Sequence, residues 1–226
     1  RLFEAANMIG YLFATLLLPY FSRMLANKTD VRPLAIGASQ LLLVGGGAVA
    51  WTACFWPESF LRLFYDHEIA EAAPILPWLM VSFAIFAQGY VFSTLLTARG
   101  DLRLLNAVAA IGAFGNIALN FLWIPEYGAL GCAMASALTQ ALVVIAQCIA
   151  SVLKHPGSAW WKLVKSLALH SLLCGAICGI GLRWDSDVWW MVPVILLACL
   201  LAGFIPGIMD DSTVRSLLST KMNTFA

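Results

Sequence analysis

The chain has 226 residues, of which 62% are hydrophobic and only 11% are charged, and its formal net charge is +1. A soluble domain carries about 25% charged residues, so this chain could not cover its surface with polar groups in water. The composition excludes an ordinary soluble domain and favours an integral membrane protein, for which we expect no nucleic-acid partner.

Seven apolar segments follow one another along the chain, separated by short polar loops. Each is long enough to cross a hydrocarbon core of roughly 30 Å as a helix. They lie at 5–22, 34–56, 74–97, 104–124, 129–153, 163–182 and 188–207. Lipid admits only helices and closed barrels, and these runs are too long and too uniformly apolar for barrel strands. We therefore predict an all-α integral membrane bundle of about seven transmembrane helices.

Basic residues are concentrated in alternate loops. The loops at 23–33, 98–103 and 154–165 and the tail from 208 hold ten of the thirteen Lys and Arg residues. Cytoplasmic loops of membrane proteins carry this excess of positive charge. We predict that these loops and the C-terminus are cytoplasmic, so that the first helix runs from the outside to the inside.

The longest loop on the predicted outer side spans 57–73 and allows two interpretations. Pro57 can begin a short interfacial helix that turns Phe60, Leu61 and Phe64 towards lipid. The same residues also fit an irregular loop, and the sequence favours neither interpretation.

Neutral polar side chains inside the apolar segments are the candidate functional residues. Asn116 and Asn120 are one i, i+4 step apart and share a helix face. Such groups suit hydrogen bonding to sugar hydroxyls in a cavity, or to one another between helices. Both interpretations stay open for each residue. The candidates for the cavity and substrate path are Asn7, Gln88, Asn116, Asn120, Thr139 and Gln140.

No enzyme motif is present, so we predict a protein that is not an enzyme and has no catalytic residues. His170, Cys174 and Cys178 follow one stripe of the sixth segment, which makes a soft metal ion conceivable. Packing in the helical core is the favoured interpretation, and we predict no metal site. We also expect no cofactor beyond a coupling ion of unknown identity.

Three stretches carry a family resemblance: RLFEAANM at 1–8, LLLPYFSR at 16–23 and NIALNFLWIPEYGALGCAMASALTQ at 116–140. They resemble the polysaccharide-biosynthesis branch of the multidrug/oligosaccharidyl-lipid/polysaccharide exporter superfamily. Asn116 and Asn120 fall on that branch's N-x-x-L-N positions. Pro125, Tyr127 and Gly128 fall on its I-P-x-Y-G turn, where we expect the proline to end a helix and the glycine to allow tight re-entry.

The resemblance implies a fourteen-helix transporter with two six-helix lobes and two extra helices, of which this chain matches helices eight to fourteen. The chain lacks an initiator Met, and we expect a missing N-terminal half as its partner. Residues 1–155 would form five helices of the C-terminal lobe, 156–209 two additional helices, and 210–226 a cytoplasmic tail.

The implied activity is the flipping of lipid-linked oligosaccharide or polysaccharide precursors across the bacterial inner membrane by alternating access. Membrane lipid and a lipid-linked saccharide would be the ligands. Two alternatives stay open. A cation-coupled multidrug exporter of the same superfamily would require buried acids, and a membrane-embedded sugar polymerase or ligase would require a large outer loop with Arg and His.

Overall fold

The computed structural model describes residues 2–65, 67, 69–182, 191–205 and 208, and its description of side chains begins at Met8 and omits Ile9. This part of the chain is helical and contains no strand. The nine helices of these described residues, in chain order, are α1 Leu2–Ala26, α2 Arg32–Phe55, α3 Pro57–Arg62, α4 Ile69–Ala72, α5 Leu76–Ala98, α6 Leu102–Tyr127, α7 Ala129–Lys154, α8 Trp160–Gly181 and α9 Met191–Ala202.

The predicted membrane bundle is confirmed. Five of the described helices (α2, α5, α6, α7 and α8) are long and apolar enough to cross a membrane. Helix α1 adds 25 residues, and α9 adds a shorter apolar helix of 12 residues. The predicted tail at 210–226 lies outside the described residues, so the division into lobe, extra helices and tail stays a prediction.

Helix α5 is the centre of the bundle and packs against α1, α2 and α7. Small residues permit these close contacts, because helices in lipid associate through van der Waals packing of their backbones. A β-carbon on Gly46 of α2 would lie 3.3 Å from the Cα atom of Ala84 on α5. Helix α7 then carries α6 on its other side, while α2 carries α8 and α9.

The 57–73 segment folds into two short helices, α3 and α4, and only part of the interfacial prediction is correct. Phe60 and Leu61 are each 5% exposed and belong to the apolar core beneath the ends of α2 and α5, whereas Phe64 is 56% exposed. The prediction that Phe60 and Leu61 face lipid is wrong. Pro57 begins α3 directly after α2 ends. The chain therefore changes direction there, and α3 packs back onto the bundle.

The turn between α6 and α7 also differs from the prediction. Pro125 lies inside α6, which continues to Tyr127. Proline removes one backbone donor but does not prevent the following residues from remaining helical. The break comes at Gly128, whose φ of +58° is a conformation that only glycine adopts freely, and whose N–H donates to the Ile124 carbonyl at 2.8 Å.

Three of the predicted cytoplasmic loops meet at one end of the bundle. Asp101, before α6, accepts hydrogen bonds from Lys154 at the end of α7 and from Arg99. The Lys154 hydrogen bond, with the charge of Lys154 and Arg99, holds the pKa of Asp101 below its usual range. Arg32, the first residue of α2, donates to the Pro156 carbonyl at 2.9 Å. The loops therefore share one side, as alternating crossings require.

Candidate functional site

A cavity of about 500 Å³ lies between α5, α6 and α7, midway along the three helices. Phe86 of α5 and Val143 of α7 contribute apolar lining, and none of the described lining residues is charged. The polar lining residues are Tyr90, Ser93, Asn116, Ser136, Thr139, Gln140 and Gln147. Neutral polar side chains gathered around a void in the membrane are typical of a binding site, because the same groups in a dry helix contact would fill the space between the helices.

Glycine brings α6 close enough to α7 to form this site. A β-carbon on Gly112 of α6 would overlap Val143 of α7, so only glycine permits the approach. Asn116 follows one turn later on the same face, opposite Thr139. The Gly112 contact therefore determines that this face of α6 lines the cavity.

A chain of hydrogen bonds joins the two helices at the cavity wall. Asn120 donates through Nδ2 to Asn116 Oδ1 at 2.9 Å, and Asn116 donates through Nδ2 to Thr139 Oγ1 at 3.1 Å. Thr139 Oγ1 in turn donates to the Ala135 carbonyl at 2.8 Å. The structure thus brings together three of the sequence-predicted residues, and Gln140 lines the same cavity.

Two buried acceptors at this site have no hydrogen-bond partner among the described residues. They are Oδ1 of Asn120 and Oε1 of Gln147, and the Gln147 side chain is 8% exposed. A buried polar atom without a partner costs about 1–3 kcal/mol, so it requires an explanation such as water or a ligand. Both atoms are acceptors, so the missing partner is a hydrogen-bond donor.

Gln88 lies apart from this cavity, although it is on the same helix as Tyr90. Its Nε2 donates to the Ser39 carbonyl of α2 at 3.1 Å, and it lines a separate cleft of about 430 Å³ between α2, α5, α7 and α8. That cleft is mostly apolar. In this position Gln88 joins α2 to α5. The side chain of Asn7 lies outside the described residues, so its role stays a prediction.

Sequence reasoning missed Tyr90, Phe86 and Gln147 as lining residues. Aromatic residues are too common in membrane helices for Tyr90 and Phe86 to attract attention by themselves. Gln147 carried a usable signal, because it follows Gln140 by seven residues and therefore lies two turns further along the same face of α7.

His170 and its neighbouring cysteines belong to the packed core. His170 is 1% exposed, and the Cys174 thiol lies 3.5 Å from its Nε2 atom. Over the described part of the chain, no group of three or more His, Cys, Asp or Glu side chains is arranged to hold a metal ion.

Comparison with known proteins gives a family. No curated protein and no solved structure matches the chain. The family model described as "Lipid II flippase MurJ" matches residues 3–199, which is most of the chain and includes every predicted site residue. The family belongs to the exporter superfamily that the sequence motifs resemble, and its members are transporters of lipid-linked precursors rather than catalysts. With its apolar helices, the match also supports a multi-pass location in the inner membrane. The chain belongs to the MurJ family of lipid II flippases.

Proposed function

We propose that this chain, together with the N-terminal half that the sequence predicts, moves a lipid-linked saccharide precursor across the bacterial inner membrane by alternating access, and that lipid II, the compound in the family's description, is the substrate. The observation that carries the proposal is the hydrogen-bonded wall of Asn116 and Thr139 beside the cavity of about 500 Å³. This wall offers neutral polar groups at the depth where a polar headgroup would need replacements for water.

The lining favours a saccharide over the other substrate classes that the sequence left open. A cation-coupled drug exporter would place acids in the membrane, and none of the described lining residues is acidic. In the proposed mechanism, Asn116, Asn120, Thr139 and Gln140 form one wall of the substrate path. Gln88 supports that wall from behind by holding α5 against α2.

The experiment is depletion of the gene in its own host, with lipid-linked precursor measured in each leaflet of the inner membrane. We expect the precursor to accumulate in the cytoplasmic leaflet and external polymer synthesis to fall. A plasmid copy should restore both measurements, and an Asn116→Leu copy should restore both less well despite normal abundance in the membrane. Unchanged precursor levels after depletion would contradict the proposal.

The identity of the precursor has its own test. Purified protein in liposomes is given lipid II or a lipid-linked oligosaccharide without a peptide, and transfer between leaflets is timed. Faster transfer of lipid II supports it as the substrate. Equal rates would support the broader class of lipid-linked oligosaccharides.

A further inference from the structure

The cavity between α5, α6 and α7 contains a pair of aromatic rings that the hydrogen-bonded wall does not explain. Phe86 and Tyr90 are one turn apart on α5 and meet edge to face, with ring centroids 4.9 Å apart and planes at 80°. Both residues line the cavity and are only half-buried. The rings are therefore fixed relative to each other while remaining accessible from the cavity.

Helix α1 holds the Tyr90 ring from behind. A β-carbon on Gly10 would lie 2.6 Å from Cδ2 of Tyr90, closer than packed carbon atoms approach. Gly10 is buried, so the ring rests directly on the α1 backbone. We regard Gly10 as a positioning residue, because any larger side chain there would push the Tyr90 ring away from α1.

Gln147 on α7 is one of the polar residues that line the same cavity. Its Oε1 atom lies beside Gly89 of α5, since a β-carbon on Gly89 would be 3.7 Å away. Gly89 packs against Val144 of α7 so closely that little room remains for a side chain between α5 and α7. Gln147 lines the same cavity as the aromatic pair, and its carbonyl oxygen is buried and without a donor among the described residues.

An aromatic pair and a buried acceptor in one lining without charge fit one class of ligand. A pyranose ring presents C–H groups on one face, which pack against an aromatic ring, and hydroxyl or amide N–H donors at its edge. A diphosphate offers only acceptors and negative charge. It would leave the Gln147 oxygen unsatisfied, and it would meet no cation among the described lining residues.

We infer that Tyr90, Phe86 and Gln147 form a binding site for an uncharged sugar ring of the transported precursor, and that the charged linkage of the precursor is held elsewhere. This inference rests on the proposed function and deepens it. It assigns the specificity for the saccharide to α5 and α7, and it gives Tyr90 and Gln147 roles in affinity rather than in folding.

The test is binding of N,N′-diacetylchitobiose, a soluble uncharged disaccharide, to the full chain in nanodiscs, followed by saturation-transfer NMR. We expect saturation of the ring C–H protons and an affinity at least five-fold weaker in Tyr90→Leu and in Gln147→Leu. Tyr90→Phe keeps the ring and should stay within two-fold. Phe83→Leu is the matched control, because Phe83 is on the same helix but lines a different, apolar cleft.

Two further measurements make the result decisive. Inorganic diphosphate should not displace the disaccharide, and displacement would overturn the assignment to an uncharged ring. Gly10→Ala should weaken binding as Tyr90→Leu does, which tests the Tyr90 position even if Tyr90→Leu fails to fold. Unchanged affinity in Tyr90→Leu or Gln147→Leu variants that fold normally would also overturn the site.

The same preparations are assayed for transfer of lipid-linked precursor between leaflets. If the unmutated protein transports the precursor but the variants bind the disaccharide normally, the site is wrong and the function stands. If the unmutated protein binds the disaccharide through Tyr90 but transports no precursor, the proposed function fails while the saccharide site remains.

Discussion

Helices α2 and α6 have nearly the same length and mean hydropathy, yet they occupy opposite environments. More than half of the residues of α2 are buried inside the bundle, whereas α6 has no buried residue. The two helices differ in the contacts that their side chains make. Helix α2 carries a run of Gly and Ala that lets α5 and α8 approach, while α6 presents large side chains such as Phe114 and Phe121, which are 73% and 79% exposed.

This comparison teaches that hydrophobicity does not determine packing in a membrane. Lipid tails are as apolar as the protein interior, so an apolar side chain gains little hydrophobic free energy by moving from one to the other. What holds α2 in the centre is close contact with its neighbours. What holds α6 at the edge of the bundle is one face against α7, and that face carries Asn116 and Asn120.

The largest expected difference comes from shortening the same residue on each helix. Ile36 on α2 is 3% exposed, and Ile111 on α6 is 73% exposed. Ile36→Ala should lower the free energy of unfolding by about 2 kcal/mol, because it leaves a cavity that neighbouring helices cannot close. Ile111→Ala should change it by less than about 0.5 kcal/mol, because lipid fills the space. Unfolding in detergent or by steric trapping measures both, and equal losses would break the comparison.

Replacing Gly46 on α2 and Gly115 on α6 by alanine should have effects of opposite sign. Gly46→Ala places a β-carbon 3.3 Å from the α5 backbone at Ala84, which cannot yield as a flexible side chain would. We expect a loss of about 1–2 kcal/mol. Gly115→Ala on α6 meets only Thr139 Cγ2, at 3.9 Å, and should stabilise the helix by about 0.5 kcal/mol. Thermal unfolding midpoints distinguish the two, and a stabilising Gly46→Ala would show that α2 and α5 are less tightly packed than the structure indicates.

Polar substitutions should separate stability from transport. Gln88→Leu removes the hydrogen bond from α5 to the α2 backbone and should cost about 1 kcal/mol of unfolding free energy, with little effect on precursor transfer. Asn116→Leu removes the cavity hydrogen bond to Thr139 and should slow transfer about ten-fold, which corresponds to about 1.4 kcal/mol. Rates and unfolding midpoints are measured on the same preparations. A transport defect in Gln88→Leu as large as that in Asn116→Leu would place Gln88 on the substrate path.

The smallest effect concerns the acids that precede the two helices. Asp30, before α2, pairs with Arg32 two residues away, whereas Asp101, before α6, is bound by Lys154 of α7. At neutral pH, Asp101→Asn should cost about 0.5 kcal/mol and Asp30→Asn less, because a local pair constrains less of the fold and both are partly exposed.

The sign of the pH dependence follows from the lowered pKa values of both carboxyls. Hydrogen bonds from Lys154 to Asp101 and from Arg32 to Asp30 favour the ionised forms. Their contribution is complete above the unfolded pKa of about 4 and is lost as pH falls through the lower folded value. Unfolding midpoints from pH 7 to pH 3 should therefore converge for the original protein and Asp101→Asn. A constant difference down to pH 3 would contradict this role.

The sequence by itself determined the helices, their approximate ends and the family. A long apolar run must satisfy its backbone within its own helix, so this part of the structure is local and readable. The motif at 116–140 also identified Asn116 and Asn120, because a fixed spacing on a helix determines a shared face. Tertiary structure decided which face of each helix packs, since lipid and protein interior are equally apolar and hydrophobicity therefore gives no signal for the choice.

That physical limit explains why Gln88 and Phe60 lie where the sequence did not place them. Gln88 and Asn116 are similar neutral amides in similar helices, yet one joins α5 to α2 and the other lines the cavity. Phe60 fits an interfacial position by pattern but lies in the core, because Pro57 turns α3 back onto the bundle. The Tyr90 and Gln147 site exists only where α1, α5 and α7 meet, so no single segment of the sequence could reveal it.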